Sequence, residues 1–138
     1  MIDKPVLTGY ATVREFGGYA LPVPIQNKLL RNYCKENNFI YKLPLNETCL
    51  KENYMFLFST INRASKNTDI GMCSIHMFPQ DNGKFELLLK RIIIKNLKFH
   101  FIFENSVISA QKLKEFYLTS RLRYLENINL EFIKKAVK

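Results

Sequence analysis

The apolar residues of this chain change their spacing repeatedly, and that alternation narrows the fold more than any other feature. Phe85, Leu88, Leu89 and Ile92 recur at intervals of three and one, which gives a helix one apolar face. Leu97, Phe99, Phe101 and Phe103 then recur at every second position, with Lys98, His100 and Ile102 between them, as in a strand. The same switch is present upstream. Strands are expected over 6–13, 39–45 and 70–78, each followed by a helical pattern. The first helix starts at Pro24, with Ile25, Leu29 and Tyr33 as its expected buried stripe. The second covers 53–64, the third covers 84–95, and one or two more cover 110–136. Alternation of this kind predicts a single three-layer α/β domain over 1–138, with a mostly parallel four-to-five-stranded sheet flanked by helices.

The length suits one core, and an apolar fraction of 47% argues against disorder. No apolar run approaches the roughly 18 residues needed to span a membrane. The opening MIDKPVL has no long apolar stretch, so no signal peptide is expected and a cytoplasmic location is. Cys34, Cys49 and Cys73 follow no motif spacing and are expected as reduced thiols.

The net charge of +9 is uneven: +2 over residues 1–83 and +7 over 84–138. Basic C-terminal helices from about 106 onward would attract an anion, or would simply form a solvated surface.

In a parallel sheet flanked by helices, ligands collect beyond the carboxyl ends of the strands. The polar residues expected there are Arg14, Glu47, the Ser74–Gln80 region around the third strand, and Glu104. Arg14 offers a bidentate donor fork, and Gly17 and Gly18 let backbone amides approach the same anion. Gln26 and Asn27 stand at a helix start, where the dipole favours negative charge. The expected anion-binding set is Arg14, Gly17, Gly18, Gln26, Asn27, Arg31 and Ser74, with Glu47 and Glu104 as acid and base.

Each has a plainer reading. Arg14 can pair with Glu15, Gly17 and Gly18 can form a turn, and Gln26 and Asn27 can cap the helix. Cys73 and His76, three apart on an expected strand, point to opposite faces. With His100 as the one further ligand nearby, no metal site or cofactor is expected.

The pattern GY…R.F.G….P..IQN…R.YC runs from Gly9 and Tyr10 through Arg14, Phe16, Gly18 and Pro24 to Gln26, Asn27, Arg31, Tyr33 and Cys34. It resembles the sporadic carbohydrate cluster protein family, small bacterial proteins encoded among genes for surface-polysaccharide sugars. The resemblance continues at Glu47, at the segment SIHMFP over 74–79, and at Glu104. That segment is similar to the family's SLFQLP, with His76 and Met77 as departures. The resemblance implies an enzyme or enzyme subunit acting on an anionic sugar, phosphorylated or nucleotide-linked, together with a protein partner from the same gene cluster.

The order of elements also resembles the catalytic domain of serine recombinases, the resolvases and invertases. Arg14 stands where that family has its nucleophilic serine, Thr12 stands where it has an arginine, and the arginine-rich helix motif is missing. Strand exchange through a serine ester is therefore not expected. Three functions remain open: the carbohydrate enzyme; a non-catalytic assembly partner of such an enzyme, expected to self-associate; and, least favoured, a nucleic-acid binder.

Overall fold

The structure is a computed structural model, and it describes residues 4–13, 15–16, 20–43 and 54–137, with backbone only at 55–56 and 124–137. Five strands form one sheet: β1 (Val6–Gly9), β2 (Ile40–Lys42), β3 (Asp69–Met72), β4 (Lys98–Phe101) and β5 (Ser106–Ser109). Four α-helices accompany them: α1 (Val23–Glu36), α2 (Met55–Arg63), α3 (Asn82–Lys95) and α4 (Ala110–Val137). A 3₁₀ turn over Ile75–Met77 follows β3. The spatial order is β2-β1-β3-β4-β5, with β5 antiparallel to β4 and the other neighbours parallel.

The result is the expected three-layer α/β domain. On one face, Leu30 of α1 packs over Leu7 and the bare backbone of Gly71; a Cβ at Gly71 would press on both side chains. On the other face, Ile70, Met72, Phe99 and Phe101 join Leu57 and Ile61 of α2, Leu88 and Ile92 of α3, and Leu113 and Tyr117 of α4. The ring of Phe101 stacks on Phe116, and that of Phe85 stacks on Tyr117 at a centroid separation of 3.7 Å. Among the described residues, no helix is long and apolar enough to cross a membrane.

Several boundaries differ from those the spacing predicts. Strand β1 stops at Gly9, not at residue 13, because the Thr12 backbone bonds to a side chain of α1. Strand β3 stops at Met72. The Ser74 hydroxyl accepts from His76 N, and Met77 N donates to Ser74 O, which curls the chain out of the ladder. Its apolar residues Ile75, Met77 and Phe78 are buried from that turn, not from a strand.

The buried stripe of α1 is Gln26, Leu30 and Cys34, one position on from the expected Ile25, Leu29 and Tyr33. Residues 106–109, left unassigned by the spacing, form β5 after a turn in which Asn105 adopts φ 48°. The α3 face of Phe85, Leu88, Leu89 and Ile92 is buried as expected, and the C-terminal segment is one helix.

Candidate functional site

The ladder between β3 and β4 continues past the ends of both strands, since Ile102 N donates to Met72 O and Phe103 N to Cys73 O. This zipper carries Glu104 up to Ser74. The Ser74 hydroxyl donates to Glu104 Oε1 across 3.1 Å, and Ile75 N donates to the same oxygen at 2.5 Å. No hydrogen bond reaches Glu104 Oε2 from the described residues.

Ser74, His76, Phe103 and Glu104 line one side of a cleft of about 430 Å³, and Ala20 and Leu21 from the β1–α1 connection line the other. Three loops that follow parallel strands thus meet at one crevice, beside the point where the strand order turns from β1 toward β3.

The titratable groups of the crevice differ in character. Burial holds His76 below the usual imidazole range, and the Glu104 carboxylate opposes that effect without cancelling it. His76 is therefore a neutral imidazole near pH 7, next to an anchored carboxylate. Cys73, fully buried beneath, has its thiol pushed up to about 12, first by burial and then by Glu104. That makes Cys73 core, not a nucleophile.

The other expected site residues are placed differently. Gln26 is fully buried, and its amide is consumed by backbone: Thr12 N donates to Oε1 at 3.1 Å, and Nε2 donates to Thr12 O and Leu21 O, each at 2.7 Å. It braces the loop that forms one wall of the cleft and presents no group to it. Asn27 accepts from the Tyr41 hydroxyl at 2.8 Å, and Arg31 is exposed on α1; neither lines the crevice. Arg14, Gly17, Gly18 and Glu47 lie outside the described residues. Among the described residues, Ser74 and Glu104 are the expected site residues that the fold brings into contact.

A second polar network carries no signal in the spacing. His100 does not approach Cys73 or His76. It faces α1, where its Nδ1 lies 2.6 Å from the Tyr33 hydroxyl and its Nε2 lies 2.9 Å from Asp69 Oδ2. The rings of Tyr33 and Phe39 meet the imidazole edge-on. Burial, with smaller effects from Cys34 and Asp69, raises the Tyr33 phenol above its ordinary value, so it stays protonated. On spacing, His100 falls with Lys98 and Ile102 on the face opposite the alternating apolar residues; only the position of Tyr33 on α1 reveals its role. Among the described residues, no three His, Cys, Asp or Glu side chains gather to hold a metal ion.

No family model matches the chain, and neither does any curated protein. Fold and site define its class: an α/β domain with a ligand-sized crevice at the carboxyl ends of its parallel strands.

Proposed function

We propose that the crevice binds a polyhydroxylated, sugar-like ligand, and that the chain is an enzyme or enzyme subunit acting on a phosphorylated or nucleotide-linked sugar. The observation that carries this reading is the meeting of Ser74, His76 and Glu104 in one cleft. Glu104 has one oxygen held by Ser74 and Ile75, which aims the carboxylate at its other oxygen, an acceptor suited to a sugar hydroxyl. His76 is neutral and can take or return a proton beside it. Leu21 and Phe103 supply apolar wall for the C–H face of a pyranose. In this reading Arg14 grips the anionic group, and bacterial surface-polysaccharide synthesis is the setting that the sequence resemblance implies.

A second reading, an assembly partner of such an enzyme, draws on β5, the edge strand of the sheet. Val107 there, and Leu118 and Leu122 on α4, are large apolar side chains about half exposed or more. Self-association through that edge belongs to this reading.

The test is a calorimetric and thermal-shift panel of sugar phosphates and nucleotide-sugars against the native protein and Glu104→Gln. The glutamine keeps an oxygen for Ile75 N, so the fold is expected to survive. Binding of one sugar class that is lost in the variant supports the enzyme reading. A panel silent across every sugar removes it in favour of the assembly partner.

A further inference from the structure

A second cleft, sharing no described residue with the crevice, opens between the ends of β1 and β2 and the last turn of α2. It has a volume of about 180 Å³ and is lined by Thr8 and Gly9, Lys42 and Leu43, and Thr60, Arg63 and Ala64. Among the described residues, no carboxylate lines it. Lys42 and Arg63 are both exposed, and neither has a hydrogen-bond or ion-pair partner among the described residues. Two cations thus line one small concavity, and an anion seated there would pair with both.

The surroundings keep these two cations available. The carbonyls at the C-terminal end of α2 carry partial negative charge and would otherwise compete for a nearby cation. Lys95 already takes up three carbonyls there: its Nζ donates to Ile61 O at 2.9 Å, Asn62 O at 2.5 Å and Ala64 O at 2.9 Å. Arg91 is committed to Asn62 Oδ1 at 2.9 Å, with its guanidinium over the Phe58 ring. The helix end is thus neutralised by Lys95, and Arg91 adds positive potential without filling the cleft. Gly9 and Lys42 are the last residues of adjacent parallel strands, the end of the sheet at which ligands collect.

We infer that this cleft is a phosphate-binding site, in which Lys42 and Arg63 hold the phosphate group of a small phosphorylated molecule and Thr8 forms part of the same wall. The size decides the ligand's scale. About 180 Å³ is smaller than the ~300 Å³ at which pockets begin to enclose drug-sized molecules. It accommodates a phosphate or diphosphate group, while the rest of the ligand stays outside. The site does not depend on the sugar reading of the crevice.

The experiment is isothermal titration calorimetry at low ionic strength with sodium pyrophosphate and with glucose 6-phosphate. The full chain is compared with Lys42→Gln, Arg63→Gln, the double variant, and Lys112→Gln on α4 as a charge-matched control. Both target side chains are exposed, so melting temperatures close to native are expected, and melting curves verify this. Each single substitution should weaken pyrophosphate about tenfold or more, the size of one charge-assisted hydrogen bond. The double variant should abolish binding, and Lys112→Gln should leave it unchanged. Glucose 6-phosphate binding with the same losses identifies a phosphomonoester as the ligand class; pyrophosphate binding alone identifies a diphosphate.

Absence of pyrophosphate binding by the native chain, or equal binding by the double variant, overturns the site. Loss of pyrophosphate binding in Glu104→Gln would move the anion to the crevice and equally overturn it. A short DNA duplex that binds more tightly than pyrophosphate through the same two residues would replace the small-molecule ligand with a nucleic-acid backbone.

Discussion

Gln26 and Thr12 exchange two hydrogen bonds, Thr12 N to Gln26 Oε1 and Gln26 Nε2 to Thr12 O, as though the side-chain amide were a piece of neighbouring strand. A third bond ties Nε2 to Leu21 O, so one buried side chain fixes both ends of the loop that walls the crevice. Replacing it with leucine leaves the Thr12 amide and two carbonyls without these partners. Gln26→Leu should lose on the order of 3 kcal/mol of stability, since each buried group so orphaned costs about 1–3 kcal/mol. Urea denaturation measures it; a loss below about 0.5 kcal/mol would show that the loop does not need the amide.

Tyr33 and Asp69 hold His100 from both ring nitrogens, so the three side chains act as a unit that pins α1 to β3 and β4. Tyr33→Phe should cost about 1 kcal/mol, the net value of a typical hydrogen bond. Combined with His100→Gln in a double-mutant cycle, it should show a coupling energy of about 0.5 kcal/mol or more. Strictly additive losses would mean that the 2.6 Å contact contributes nothing to folding.

His76 links stability to pH. Burial lowers its affinity for a proton in the folded chain below the ordinary imidazole value of 6.5. Between that lowered value and 6.5 the unfolded chain binds more protons, so stability rises with pH across this window and is complete above it. It is lost as pH falls from about 6.5 through the folded value. Urea midpoints at pH 7.5 and 5.5 should therefore differ more in the native protein than in His76→Asn. Equal differences in the two proteins would mean that His76 titrates as freely folded as unfolded.

Phe101 lies in the middle of the larger core, stacked between Phe99 and Phe116 with 1% of its surface exposed. Truncation to alanine should destabilise the chain by about 3–5 kcal/mol, the range for a buried phenylalanine that leaves a cavity. Thermal unfolding of Phe101→Ala with a near-native midpoint would be incompatible with β4 as a central strand.

Phe101 was legible from spacing alone. Phe99 and Phe101 alternate in a short apolar run, and a parallel strand covered by helices has few other ways to bury them. The turn at Ile75–Met77 was not. SIHMFP has the apolar content of a strand, and what bends it is the Ser74 hydroxyl bonding to His76 N, a local competition that hydrophobic spacing does not register. Strand β5 was missed for a related reason: four residues, SVIS, are too few to show a period, and their pairing with β4 makes them a strand.

The sequence by itself determined the layers. Which residues of each element are apolar, and at what interval, decides which face must be covered, and burial free energy enforces it regardless of loop detail. It also placed Glu104 at the end of a strand, where a crevice could use it; Ser74 falls inside the strand expected over 70–78 and reaches a strand end only because β3 stops at Met72. Only the tertiary structure decided their contact, the burial of Gln26 and the partners of His100. Ser74 and Glu104 are 30 residues apart, Gln26 and Thr12 are 14 apart, and Tyr33 and His100 are 67 apart. A polar side chain takes whichever donor or acceptor the packed fold brings within about 3 Å. Such partners follow from the docking of α1 and the register of β3 on β4, which a one-dimensional pattern of apolar residues does not contain.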